Sequence, residues 1–148
     1  MKDALLIIDL QDEFIDMKLD SYQMFIAQVV TCIKQYKKLK KPILLVDYYD
    51  SGETVPEITK AIGTYERCYP ILKDDEDGSW QIAHVVEKLK LNKLHISGVN
   101  GCACVLETVQ GLRGRLEDLE MTSNKNLIHC STCGKECYSE LEQQLKAA

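Results

Sequence analysis

Three polar residues stand where apolar runs end, and their types can together make a nucleophile. Asp9 closes the run Ala4 to Asp9, Lys73 closes Tyr69 to Lys73, and Cys104 lies within Ser97-Gly-Val-Asn-Gly-Cys-Ala-Cys104-Val-Leu-Glu-Thr108, a strand-to-helix turn by pattern. A free thiol has a pKa of about 8.5, and a helix N-terminus or a nearby cation can bring it to roughly 3.5 to 7.5. Cys104 is placed to have both, with Lys73 as the cation. Asp9 can take the thiol proton and later return it to a leaving amine. Backbone N–H groups of Asn100 and Cys104 can hold a tetrahedral oxyanion. The chemistry described is acyl transfer by a cysteine hydrolase.

Each residue also has a plainer reading. A strand-end aspartate often satisfies turn N–H groups, a lysine beside acidic residues is commonly a solvated partner, and a lone cysteine is commonly a small buried hydrophobe, as Cys32 is expected to be. Phe14, Tyr48, Tyr49 and Trp80 fall near the same edge and can wall a small apolar pocket, with Asn100 presenting its side chain to a ligand. The tail His129-Cys130-Ser-Thr-Cys133-Gly-Lys-Glu-Cys137 offers a different chemistry, zinc binding or a response to oxidation. Four ligands from nine residues would crowd a helix start, so the tail is read first as the N-terminus of a helix. No cofactor and no metal are expected.

The elements that position these residues follow from periodicity. Ala4 to Asp9 and Ile43 to Asp47 are too continuously apolar for a sheet with one wet face. Tyr69 to Lys73 and Leu94 to Gly98 add two strands, and Glu120 to Ile128 a fifth of weak, polar character. Tyr22 to Leu39 has apolar residues at helical spacing, the Lys37 to Lys41 stretch reads as its solvated end, and Lys41-Pro42 breaks it. Further helices are expected near Glu57 to Ile62, over Ser79 to Leu89 with Ser79 or Asp77 as cap, from Ala103 to Leu112 or Leu116, and from Lys135 to Leu145 with a cap near Thr132 to Gly134. Alternation of this kind predicts a doubly wound, three-layer α/β/α sandwich on a mostly parallel sheet of five or six strands. Ligands bind such sheets beyond the carboxyl ends of the strands, where Asp9, Lys73 and the turn from Gly98 to Cys104 converge.

Composition agrees with one globular domain over residues 1–148, with 45% hydrophobic and 28% charged residues. A net charge of -5 gives no electrostatic footprint for nucleic acid. No run approaches membrane-spanning length, and the N-terminus enters a strand directly, so the protein is expected in the cytoplasm. Seven cysteines, an odd count, argue against a secreted disulfide framework.

The segments ALLIIDLQDEF (Ala4 to Phe14), the strand-end Lys73 and SGVNGCACVLET (Ser97 to Thr108), in that order and with Lys73 lying 31 residues before Cys104, resemble the three signature segments of the isochorismatase-like cysteine hydrolases. Nicotinamidases, N-carbamoyl amidases and isochorismatases belong to that superfamily. The resemblance implies an Asp9, Lys73 and Cys104 triad on a parallel six-stranded sheet, a small-molecule substrate, and assembly as a homodimer or homotetramer. It selects Cys104 as nucleophile by its distance from Gly98, leaving Cys102 as a pocket-lining or buried thiol, and it implies a cis peptide between Val99 and Asn100. Nicotinamidases typically place Asp-x-His-x-x-His after the second strand, where this chain reads Asp47-Tyr-Tyr-Asp-Ser-Gly52, so their metal site and nicotinamide itself are not expected. Isochorismatases proper have glycine at the cysteine position, and the thiol here favours cleavage of a small amide or related C–N bond through a thioester. A non-catalytic ligand or partner binder on the same fold is the alternative.

Overall fold

A computed structural model describes residues 2–134 and 136–146. Five strands form one parallel sheet: β1 (Asp3–Ile8), β2 (Ile43–Tyr48), β3 (Cys68–Lys73), β4 (Lys93–Gly98) and β5 (Glu120–Thr122), in the order β3-β2-β1-β4-β5. The chain winds outward from β1 to β3, then returns across β1 to β4 and β5. The switch in direction falls between β1 and β4, where a doubly wound sheet opens its crevice.

Helices cover both faces. Helices α1 (Asp20–Lys38) and α2 (Pro56–Ile62) pack one side, and α3 (Ser79–Leu89), α4 (Cys104–Arg115) and α5 (Tyr138–Lys146) the other. The period-2 alternation of β1 divides its side chains between two cores: Leu5 and Ile7 meet Phe25, Val29 and Ile58, while Ala4, Leu6 and Ile8 meet Val105, Val109 and Leu141. Every residue from Ala4 to Ile8 is fully buried, which is why β1 reads as a continuous apolar run. Among the described residues no helix is long and apolar enough to cross a membrane.

The three-layer sandwich and its parallel sheet match the expectation, with five strands rather than six among the described residues. The expected fifth strand is cut short. Pairing stops at Thr122, Ser123 Oγ donates to the Ile96 carbonyl at 2.6 Å, residues Lys125–Leu127 turn as a 3-10 helix, and only Ile128 bridges back to Gly98. Helix α3 keeps the expected bounds, but Gly78 occupies its cap position, and the Asp77 carboxylate accepts the Ser79 N–H at 2.8 Å. The last helix begins at Tyr138, so Thr132 to Gly134 form a turn of their own before it; the expected first residue, Lys135, lies outside the described residues.

Candidate active site

Asp9, Lys73 and Cys104 come from the ends of β1 and β3 and the start of α4. Asp9 leaves its strand with φ 59, a left-handed conformation that aspartate adopts more readily than most residues. At the adjacent end of β4, Gly98 has φ 147, and a Cβ there would collide with the Ile8 backbone. Glycine is required at that point because the two strand ends touch. The close approach brings the turn carrying Cys104 against Asp9. The peptide between Val99 and Asn100 is cis, as the resemblance implies.

Lys73 reaches across the end of β2 to place Nζ 3.0 Å from Asp9 Oδ2. Both side chains are buried, at 0% and 1% exposure, so the ion pair is out of water. Lys73 Nζ also donates to the Glu76 carbonyl at 3.0 Å and lies 4.7 Å from the centroid of the Tyr48 ring. Cys104 is 8% exposed, and its thiol lies close enough to Asp9 and Lys73 for both charges to act on it. Apart from Lys73 and Cys104, no donor meets either Asp9 oxygen among the described residues. The carboxylate therefore keeps room to accept a proton.

Burial raises the Asp9 carboxyl above its ordinary value, against the opposing pull of the Lys73 charge and the Cys104 thiol. Burial and the Asp9 charge push the Cys104 thiol up to about 12, with Lys73 only partly offsetting them. This corrects the expectation of a thiol depressed by its helix and its lysine. A thiol raised this far keeps its proton at neutral pH, with the Asp9 carboxylate beside it.

The turn's own hydrogen bonds use the N–H groups of Gly101, Ala103 and Val105. Those of Asn100 and Cys104 take no part in them. The Asn100 side chain is not offered to a ligand as expected, because its Oδ1 accepts the Ser131 N–H at 2.8 Å. Phe14 and Tyr48 lie together with ring centroids 6.3 Å apart, beside Lys73. Tyr49 and Trp80 do not enclose the triad: they are 64% and 58% exposed, and the Trp80 ring packs edge-on against His84. Cys102 is exposed rather than buried or pocket-lining, two residues along a turn that sends successive thiols to opposite sides. The nicotinamidase metal pattern does not fit here, since the Thr54 hydroxyl donates its single proton to the Asp47 carboxylate, 2.9 and 2.8 Å from its two oxygens, and no imidazole follows Asp47 through Gly52.

Several positioning residues had no role assigned from sequence. Gln11 is 1% exposed; its amide donates to the carbonyls of Tyr48 and Gly52, both at 2.9 Å, and accepts the Tyr48 N–H at 2.6 Å. It fastens the ends of β1 and β2 and so fixes Tyr48 over Lys73. Thr108, fully buried, accepts the Gly78 N–H at 3.0 Å and donates to the Glu76 carbonyl at 3.2 Å, holding the acidic loop that supplies Lys73 with its second acceptor. The only available signal was a polar residue inside a signature segment, which does not say what it bonds.

Residues 3–121 match the Isochorismatase domain family, and the chain belongs to that family. Comparison with curated proteins found no match. Among solved structures, the nicotinamidase of Staphylococcus aureus superposes with a TM-score of 0.81 at 19% identity, covering 99% of this chain and 98% of that one. The MAR1 ribonuclease of Caenorhabditis elegans gives 0.82 at 20% identity over 97% of this chain and 73% of that one. N-carbamoylsarcosine amidase from Thermoplasma acidophilum gives 0.72 at 16% identity over 86% and 84%. Likeness at these identities shows a shared fold.

Proposed function

We propose that the protein is a cysteine-dependent hydrolase of a small amide or related C–N bond. The observation that carries this reading is the buried Asp9–Lys73 pair, 3.0 Å apart, with the Cys104 thiol beside both. A buried ion pair gives little or no net stability against apolar replacements, so its retention beside a thiol is better explained by chemistry. Asp9 takes the proton from Cys104 Sγ as the sulfur attacks the substrate carbonyl carbon. The Asn100 and Cys104 N–H groups bind the oxyanion, and Lys73 keeps the site's charge balanced while the anion moves from carboxylate to sulfur to oxygen. As the intermediate collapses, the C–N bond breaks and Asp9 returns the proton to the departing nitrogen. Water then adds to the thioester, losing its proton to Asp9, and the thiolate leaves and is reprotonated.

A thiol near 12 serves this sequence, because the proton leaves only as the S–C bond forms. An ammonia-release screen of small primary amides, with intact-mass detection of an acyl adduct on Cys104, tests the reading. Turnover lost in Cys104→Ala and a trapped acyl-Cys104 are expected. Turnover that survives the substitution refutes it. Closure of the site favours a second reading, a ligand binder that retains the triad: saturable binding of an amide without turnover or adduct by the wild type is its signature.

A further inference from the structure

Away from the triad, four thiols converge. Cys102, on the same turn as Cys104, meets Cys130, Cys133 and Cys137, and their Sγ atoms all lie within 4.8 Å of one another. Cys102 Sγ is 3.2 Å from Cys130 Sγ and 4.0 Å from Cys133 Sγ. A disulfide needs about 2.05 Å, whereas a tetrahedral zinc with Zn–S near 2.3 Å separates its sulfurs by about 3.8 Å. We propose that these four cysteines form a tetrathiolate site for a divalent thiophilic metal, with zinc as its occupant.

The backbone is already shaped for such a site. Gly134 at φ 58 closes a turn in which its N–H donates to the Cys130 carbonyl at 2.8 Å, and the Glu136 N–H donates to the Cys133 carbonyl at 2.9 Å. The pair Cys130-x-x-Cys133 has the ligand spacing common to structural zinc sites. The crowding expected of four ligands within the tail does not arise, because the fourth ligand comes from a turn 28 residues earlier. Gly101 makes room for the juxtaposition, since a Cβ there would lie 2.8 Å from Cys137 Sγ. Cys130 is buried and Cys102 exposed, which leaves an entry path from solvent.

An all-sulfur donor set selects zinc or iron over magnesium, calcium or manganese. On binding, four thiols release four protons to solvent and the site carries a net charge of minus two with M2+. The metal would tie the tail to the turn that supplies Asn100 and Cys104, reinforcing Gly101 N–H to the His129 carbonyl at 3.0 Å and Ser131 N–H to Asn100 at 2.8 Å. It does not depend on the catalytic reading, because Cys104 is not a ligand.

The test is elemental analysis of the full chain, purified under reductant from zinc-supplemented cells and desalted. About one zinc per chain is expected in the wild type and in Cys32→Ser, falling to about a tenth or less in Cys102→Ser and Cys133→Ser. Cobalt loaded in its place should show the intense visible bands of tetrahedral thiolate cobalt. Iron found instead of zinc, lost with the same substitutions, supports the ligand set and identifies the other thiophilic metal. Cys102 is exposed, so its serine variant keeps the test open if Cys133→Ser fails to fold. Metal-free wild type that takes up neither zinc nor cobalt overturns the proposal, as does equal metal in wild type and Cys102→Ser. A reducible mass deficit of about 2 Da per disulfide among these cysteines, without metal, overturns it in favour of a redox pair.

Discussion

Removing the Lys73 charge alone should cost far more than removing the charges of Lys73 and Asp9 together. In Lys73→Met the apolar stem is retained, but Asp9 is left buried at 1% exposure without its cation. Breaking a buried pair from one side costs about 3 to 5 kcal/mol. Loss of the contact with the Tyr48 ring adds about 0.5 to 2 kcal/mol. Asp9→Asn leaves the converse defect, a buried ammonium whose remaining acceptor is the Glu76 carbonyl. In the double variant neither charge needs solvation, so it should be more stable than either single variant, which requires a coupling energy larger than the costlier single substitution, above about 3 to 5 kcal/mol. Urea unfolding at pH 7 measures all four proteins, and a cost of this size is readable against a total of about 5 to 15 kcal/mol. The defect in Lys73→Met should also depend on pH. Asp9 already sits above its ordinary value of 3.8, and losing the cation raises it further. A carboxyl with a raised folded-state pKa contributes stability below its unfolded pKa that is lost as pH rises through the folded one. The gap between Lys73→Met and wild type should therefore narrow as pH falls from 7 toward 4. Single-variant costs that simply add, within about 0.5 kcal/mol, would refute the pairing argument.

Three further predictions follow from the same geometry. With its thiol near 12 and 8% exposed, Cys104 holds roughly one part in ten thousand as thiolate at pH 8; iodoacetamide mapped by peptide mass spectrometry should label Cys104 more slowly than the half-buried thiol Cys68, and fast labelling at pH 7 would contradict the closed site. Gln11→Ala should cost about 1 to 3 kcal/mol in urea unfolding, because it removes three hydrogen bonds of a buried amide that ties Tyr48 to Gly52; a change under about 0.5 kcal/mol would show that solvent or a neighbour replaces the amide. Gly98→Ala should cost more than about 3 kcal/mol or abolish soluble expression, since the new Cβ meets backbone rather than a movable side chain, and wild-type stability would refute the close approach of β1 and β4.

The sheet was legible because burial on both faces leaves no polar alternation in β1 and β2, and the convergence of Asp9, Lys73 and Cys104 was legible because each closes or follows an apolar run. Local rules failed where partners lie far apart in sequence. The expected fifth strand, Glu120 to Ile128, had the right beginning, but the Ser123 hydroxyl bonds the Ile96 carbonyl at 2.6 Å beside the end of β4, and pairing stops there. The aromatic residues divided for a similar reason. Tyr48 is fixed through Gln11, 37 positions away, and lies over Lys73, whereas the Trp80 ring packs edge-on against its helical neighbour His84 and stays mostly in solvent.

Cys102 and Cys104 show why spacing alone could not assign the thiols. Both lie at the strand-to-helix turn, and an electropositive helix start was expected to lower the pKa of the catalytic one. Burial decides otherwise: moving Cys104 out of water costs its anion more than Lys73 returns, with Asp9 adding repulsion, so the thiol rises to about 12. The same turn leaves Cys102 in solvent among three cysteines from the tail. One short segment thus holds a protonated thiol beside its base and a second thiol in a sulfur cluster, and the hydrogen bond from Ser131 to Asn100 joins the two. If the proposed metal fills that cluster, its removal should loosen the turn proposed to supply the oxyanion donors while leaving the buried Asp9–Lys73 pair intact. A fall in kcat/KM without a fall in the coupling energy of that pair would separate these two supports.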